Sequence, residues 1–557
     1  MFPDYYNPVM DTKYIIVTGG VLSGLGKGIS SASIGQLLSY DYKVVPIKCD
    51  GYLNVDPGTM NPVEHGEVFV LDDGTEVDMD FGHYERFLRT ICGGAQNLTM
   101  GRVFEELREK ERNGDFKGKT VQLVPHAANH IIDWWKGVAE SKEADVVLIE
   151  IGGTVGDMEN ELYLEAARRL RLEYGPEKVF FAHLTYVPIP AGVNEQKSKP
   201  TQQSVANLME RGLFPGAIIC RGEEAVSDNV KRKISEFSNI SPEAVFSAMD
   251  VDSVYKIPQI FNEQGIVKVI NKQLGLDAKP DLTNWNRLVH QQQDATETVR
   301  IAICGKYTAL EDSYASVVEA LSHAGAHNKV KVDVTWVDTE AIENGEQRVE
   351  ESLTDVHGVI VPGGFGTRGI EGKISVIKYI RENNIPFLGL CYGLQLAVIE
   401  TARSLGGKSK AHTTEANPET PDPVIDILPE KKDITAIGGT LRKGAYPALV
   451  EKGSLVHSLY GRTEVSERHR HRFEVNPDYH EKLKDWGLRL SGMSPDGKLA
   501  EFIERSEHPY FVATQAHPEL KSALERPAPL FNGLVAAVKR SVFGERDGIT
   551  SMHVKEN

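Results

Sequence analysis

The sequence predicts an α/β protein built from two doubly wound α/β domains in one chain. Three observations carry this. Short, continuous β-branched runs alternate with helical stretches, the pattern of parallel strands covered on both faces. The first run, YIIVTGG, opens into a glycine-rich loop and then a helix. The pattern fails at DLTNWNRLVHQQQDATET, which is polar, and restarts at once with VRIAICG. That break divides the chain into a first domain at 1–280, a linker at 281–298, a second domain at 299–545 and a tail at 546–557.

At 557 residues the chain has room for two to four domains of about 100–200 residues each. Apolar residues make up 41% and charged residues 25%, which excludes disordered, collagenous and membrane-spanning classes. No apolar run approaches the roughly 18 residues of a membrane span. The opening MFPDYYNPVM lacks both a basic segment and an apolar one, so no signal peptide is expected. The five cysteines (49, 92, 220, 304 and 391) form no metal-knuckle spacing and suit a reducing cytoplasm. A formal charge of −17 disfavours nucleic acid and anionic membranes as partners. A phosphate-bearing ligand must therefore be held by a local pocket.

In the first domain, strands are expected at YIIVTGG, KVVPIKC, DVVLIEI, KVFFAHLTYV and FPGAIICR. VLSGLGKG joins the first strand to the helix GISSASIGQLLSYD. Glycines allow several N–H groups to face a phosphate, the helix N-terminus adds its dipole, and Lys27 supplies a charge. The spacing differs from the usual loop, and Gly28 stands where Ser or Thr would meet magnesium. A plain βα turn with packing glycines is the alternative. Glu150 closes DVVLIEI, at the carboxyl end of a strand where α/β ligands bind. Asp78 and Asp80 alternate in EVDMDFGHYE and share one face if that segment is extended. Pro200 biases Lys199 towards an extended conformation, aligning it with Lys197 as a small cationic clamp in KSKPTQ; a surface loop is the alternative.

In the second domain, strands are expected at HGVIVPGG, PFLGLC and YFVATQAHPE. PFLGLCYGLQLAVI places Cys391 between strand and helix with glycines at 389 and 393, like a nucleophile elbow. VPGGFG offers N–H groups for an oxyanion, His517 is a candidate base, and Glu519 would orient it. A buried core thiol is the alternative for Cys391 alone. ERHRHRFEV is basic, and in a strand Arg468, Arg470 and Arg472 share a side, either solvated or binding a phosphate or carboxylate.

Taken together, VTGGVLSGLGKGI, NVDPGTMNPVEHGEVFV, DFGHYERF, IEIGGTVGD, KSKPTQ, DVDSVYKIP, VPGGFGTRGIEGK, GLCYGLQ and ERHRHRFEVN resemble the CTP synthase family over roughly residues 12 to 545. KSKPTQ and DFGHYERF argue against the P-loop ligases that amidate corrin acids. The resemblance implies an amidoligase (synthetase) domain and a class I glutaminase. The reaction implied converts UTP, ATP, glutamine and water to CTP, ADP, phosphate and glutamate through a 4-phosphorylated UTP.

It also implies residue roles. Ser23, Gly24, Leu25, Gly26, Lys27, Gly28 and Ile29 would wrap the ATP phosphates, with Lys48 nearby and Asp250 and Val251 at the adenine. Asp80 and Glu150 would hold Mg2+. Ser23, Lys197, Ser198, Lys199, Pro200, Thr201, Gln202 and Lys233 would hold the UTP triphosphate. Asp157, Met158 and Glu159 match the stretch used by CTP as feedback inhibitor. Gly364 would stabilise the oxyanion, while Tyr392, Gly393, Leu394, Gln395, Glu415 and Arg472 would bind glutamine. The segment around His65 would line an ammonia path. GTP as activator and a homotetramer with UTP sites across subunits are implied too. Three departures stand out: Gly51 for the commoner Pro, Ala516 for Phe before His-Pro-Glu, and Ala416 for an aromatic after Glu415. The last two remove packing near the glutamine pocket.

Overall fold

The computed structural model describes residues 11–57, 66–306, 311–364, 366–427 and 441–544. The string around His65 and the tail lie outside them, as does part of the weakly matching stretch after Lys408. The described chain forms two compact units, dividing between Asn286 and Arg287, with residues 66–75 joined to the second. A first domain running without interruption from 1 to 280 is therefore corrected. The boundary falls within the 281–298 stretch, where Thr283–Gln293 is a helix. Trp285 anchors it, being buried and donating through Nε1 to the Tyr255 carbonyl at 2.8 Å.

In the first unit, β1 (Lys13–Gly19), β2 (Val44–Asp50), β3 (Asn97–Thr99), β4 (Val146–Ile151), β5 (Val179–Tyr186), β6 (Ala217–Gly222) and β7 (Val245–Met249) form one sheet. The order is β3-β2-β4-β1-β5-β6-β7, and all pairs are parallel. Every residue of β2 and β4 is buried, as continuous apolar runs in a covered parallel sheet require. Ile16 has no exposure, so Ile16→Ala would cost about 2–5 kcal/mol. Register sets Lys48 beside Glu150.

The second unit has strands β8 (Thr298–Gly305), β9 (Lys331–Asp338), β10 (Gly358–Val361), β11 (Phe387–Leu390), β12 (Arg442–Val450), β13 (Glu464–His471), β14 (Arg489–Met493), β15 (Ala500–Glu504) and β16 (Phe511–Thr514). Their order is β9-β8-β10-β11-β16-β15-β14-β12-β13. The half from β9 to β16 is parallel and the rest antiparallel, so this sheet is mixed. Parallel pairing of Leu390 with Thr514 puts the chain following β11 and β16 at the same sheet end. No described helix is long and apolar enough to cross a membrane.

Candidate active sites

The loop after β1 enters helix α1 (Lys27–Leu38) through Gly24 and Gly26, both in the left-handed region, at φ 77° and 84°. Val21 also has φ 77°, a strained value for a β-branched residue. Ser23 and Gly24 are exposed, whereas Leu25 is buried. Lys27 Nζ donates to the Gly153 carbonyl at 2.8 Å, and burial lowers its pKa. A Cβ on Gly28 would collide with Asp80 Oδ1, which explains the glycine where Ser or Thr was expected.

Asp80 begins helix α2 (Asp80–Leu88), so the extended Asp78–Asp80 segment is corrected; the chain turns at Met79. Lys48 Nζ donates to Asp80, lies 3.2 Å from Glu150 Oε1 and 3.8 Å from Asp50 Oδ1. Burial would lower the Lys48 pKa, but these three carboxylates overcome it and raise it well above the usual value. Burial also opposes charge on Asp80, yet Lys48 and His83 hold its carboxyl below the usual range. Asp50 is pushed up to about 7 by burial, with Asp78, Asp80 and Glu150 adding to the effect against Lys48. Tyr84 donates its hydroxyl to Glu150 Oε2 at 2.5 Å. Sequence reasoning missed Tyr84, although it lies in the DFGHYERF string.

Lys199 is the first residue of helix α3 (Lys199–Glu210), with Pro200 in its opening turn, so the extended clamp is corrected. A first-turn proline has no N–H to lose and fits the helix there. Lys197 Nζ donates to Glu195 at 2.7 Å, Gln202 Nε2 donates to Ser198 Oγ at 3.3 Å, and Thr201 is buried. Lys233 is exposed on the Asp228–Ser238 helix. Asp157 Oδ2 accepts from Thr154 N–H at 2.8 Å, and Met158 is 85% exposed. Glu159 is exposed, and a Cβ on Gly51 would sit 2.7 Å from its Cβ. Asp250 pairs with Arg221 at 2.5 Å, with Val251 half-buried beside it.

Cys391 is the N-cap of helix α4 (Tyr392–Ser404), with φ 50° and ψ −97°. Such a conformation costs about 1–3 kcal/mol and aims the side chain off the end of β11. Its neighbours stay small because a Cβ on Gly393 would strike the Val361 carbonyl. A Cβ on Gly363 would lie 2.7 Å from His517 Cε1 and 3.7 Å from Cys391 Cβ, so the three residues converge. His517 Nδ1 meets Glu519 Oε1 at 2.7 Å. Burial disfavours the imidazolium, but Glu519 and Cys391 overcome that and raise the His517 pKa well above the usual value. Gln515 Nε2 approaches Cys391 Sγ at 3.7 Å, a contact that sequence reasoning missed.

On the pocket side, the Tyr392 hydroxyl donates to the Gly366 carbonyl at 3.0 Å, and Gly366 N–H donates to Glu415 Oε1 at 3.0 Å. Gly364 is half-buried next to them. Gln395 is buried and donates to the Phe473 carbonyl at 2.9 Å, beside half-buried Arg472. Leu394 packs wholly in the apolar core, so its side chain does not line a pocket. Lys373, also missed, is buried with its Nζ 3.6 Å from a Cβ placed on Gly364. Burial, then Lys306, lowers its pKa to about 8. It closes the VPGGFGTRGIEGK string, which was its only signal.

A strained thiol with a His–Glu pair and a glycine loop, joined in one chain to a charged phosphate loop, defines a nucleotide-handling amidotransferase. Residues 13–276 match the family described as CTP synthase N-terminus, and residues 309–537 match glutamine amidotransferase class-I. The chain is 52% identical to the CTP synthase of Methanopyrus kandleri, over 94% of this chain and 98% of that protein. It is 51% identical to that of Thermococcus kodakarensis, over 96% and 100% respectively. Among solved structures, the Trypanosoma brucei CTPS glutaminase domain with bound acivicin is 35% identical, covering 43% of this chain and 94% of that one, with a TM-score of 0.42. The chain belongs to the CTP synthase family.

Proposed function

We propose that this chain is a glutamine-hydrolysing ligase that aminates UTP to CTP at the expense of ATP. The observation carrying this reading is the presence of both sites in one chain: Cys391–His517–Glu519, and the Gly28–Asp80–Lys48–Glu150 cradle.

In the first half-reaction, Lys27 and the loop amides hold the ATP phosphates while O4 of UTP attacks the γ-phosphorus and ADP leaves. Asp80 and Glu150 fit a divalent cation. Burial first, and then the surrounding carboxylates, push Asp50 up to about 7, and an added positive charge would favour its ionised form. Two carboxylates are enough for Mg2+, which completes its shell with phosphate oxygens and water. When bound, the ion neutralises phosphate charge. Lys197, Lys199 and Lys233 grip the UTP triphosphate, and CTP shares that grip while its base lies towards Asp157–Glu159.

In the second half-reaction, Cys391 Sγ attacks the glutamine amide carbon and the Gly364 N–H stabilises the oxyanion. His517, oriented by Glu519, delivers a proton to the leaving ammonia and then activates the water that releases glutamate. Glu415 and Arg472 bind the glutamine ends. Ammonia displaces phosphate from C4 of the phosphorylated UTP, giving CTP. GTP activation, a homotetramer and a cytoplasmic location belong to the same reading. The test is to mix chain, ATP, UTP, glutamine and Mg2+. CTP and glutamate should form together, and their absence from folded protein, with ammonium salts also inert, would end the proposal.

A further inference from the structure

The first arginine of ERHRHRFEV is turned inward. Arg468 is fully buried, and its Nε donates to Asp72 Oδ1 at 2.5 Å. Its guanidinium lies 5.3 Å from the Phe69 ring centre, and Nη1 donates to the Leu520 carbonyl at 3.4 Å. Lys521 Nζ reaches the same Asp72 oxygen at 3.4 Å. Burial opposes charge on Asp72, but Arg468 and then Lys521 hold its carboxyl below the usual range.

These partners frame His517. The His517 backbone N–H donates to the Arg468 carbonyl at 2.7 Å. Leu520 and Lys521 belong to the short turn Pro518–Lys521 that carries Glu519. Arg468 thus grips the His–Pro–Glu turn at both ends, through its own carbonyl and through its guanidinium.

Asp72 comes from residues 66–75, which pack in the second unit although residues 11–57 and 76–286 belong to the first. The seat is specific. Ala445 N–H donates to the Asp72 carbonyl at 2.9 Å, and Ser316 N–H donates to Glu67 Oε2 at 2.7 Å. Gly444 has φ 98°, and a Cβ there would lie 2.7 Å from both the Asp72 carbonyl oxygen and the Gly74 nitrogen.

We propose that residues 66–75 are a positioning strap for His517, acting through the Asp72–Arg468 ion pair. Removing one partner of a buried ion pair is strongly destabilising. The Arg468 side chain would shift and carry with it the backbone carbonyl that fixes the histidine. Base catalysis is sensitive to such displacements, since misplacement by about 1 Å can cost about 10²-fold. The inference rests on His517 being the base of the glutaminase.

The test uses the full chain with Asp72→Asn, following glutamate release, CTP formation from ammonium salts, and thermal unfolding. The kcat for glutamine hydrolysis should fall by about 10- to 100-fold with little change in KM, while ammonia-dependent CTP formation stays within about two-fold. Iodoacetamide alkylation of Cys391 at neutral pH should slow in parallel, because the imidazole no longer supports the thiolate. Gly444→Ala pushes the strap off its seat by a different lesion and should give the same split. If folded Asp72→Asn hydrolyses glutamine at the wild-type rate, or if both nitrogen sources fail equally, the strap is overturned. Should Asp72→Asn not fold, the same outcomes in Gly444→Ala decide. A wild-type chain that releases no glutamate from glutamine sinks the functional reading and the strap with it.

Discussion

The two sites follow opposite plans. At the thiol site the groups already hold one another in working order: Cys391 is strained off its helix, His517 is bound by Glu519, and Gly366 ties Tyr392 to Glu415. At the nucleotide site the charges neutralise each other. Lys27 donates to the Gly153 carbonyl, Lys48 to Asp80 and Glu150, Lys197 to Glu195, and Arg221 pairs with Asp250. On the proposed reading, the phosphates of ATP and UTP would take over the partners of Lys27, Lys48 and Lys197. The difference follows from the chemistry. Acyl transfer needs oriented groups before substrate binds, whereas phosphoryl transfer needs charge that is expensive to leave unpaired in a folded chain.

Breaking one plan should leave the other standing. The largest expected effect is Cys391→Ala, which removes the nucleophile and should cut glutamine-dependent CTP formation on the order of 10⁶-fold. Synthesis from ammonium salts should persist, increasingly so at higher pH where more ammonia is unprotonated. Lys27→Ala should cost about 10²–10³-fold with either nitrogen source, while basal glutamine hydrolysis survives. If both variants lose ammonia-dependent activity equally while folded, the separation of sites is wrong.

Glu519→Gln sharpens the thiol side and should slow hydrolysis on the order of 10²-fold. Glu519 raises the His517 pKa, so its loss lowers that pKa. The imidazolium then survives only to a lower pH, and the His517 ring signals followed by NMR should titrate at lower pH than in the parent chain. An unshifted ring titration would mean that Glu519 does not set the histidine's charge.

Much of this was legible along the chain, because the signals were local. DVVLIEI becomes β4 with Glu150 near its end, and PFLGLC becomes β11 with Cys391 just beyond it. A strand followed by a glycine turn needs no distant partner to be recognised. Lys199 was misread because a proline at the start of a helix and one in an extended loop look alike without the turn that follows. The helix Thr283–Gln293 was hidden by its polar surface, since only Trp285, Leu288 and Val289 mark the buried side. Asp72 and Arg468 were beyond reach for another reason: they lie 396 positions apart, and neither string announces its partner.

The smallest expected effect concerns the scaffold beneath the phosphate loop, which is built from neutral groups rather than paired charges. His183 is wholly buried, with Nδ1 2.8 Å from Thr18 Oγ1 on β1 and Nε2 2.7 Å from Ser204 Oγ on α3. A Cβ on Gly20 would collide with that same Ser204 hydroxyl, so the bridge sits directly under the loop. Burial, reinforced by Lys27, pushes the imidazole down to about 3. In the unfolded chain the same ring titrates near 6.5. Between those values the unfolded state binds a proton that the folded state refuses, so stability rises with pH across the window and levels off above it. Acidification below about 6.5 therefore removes up to about 1.4 kcal/mol per pH unit through this one group. His183→Asn keeps a hydrogen-bonding atom near the Nδ1 position but cannot titrate. Calorimetry from about pH 7 down to about pH 4.5 should show a shallower fall in Tm for the variant in the transition of the nucleotide unit. The glutaminase transition should keep its acid loss, because His469 there, pushed down chiefly by burial, still titrates. Equal slopes for wild type and variant in the first transition would show that His183 is not the group that sets acid stability beneath the loop.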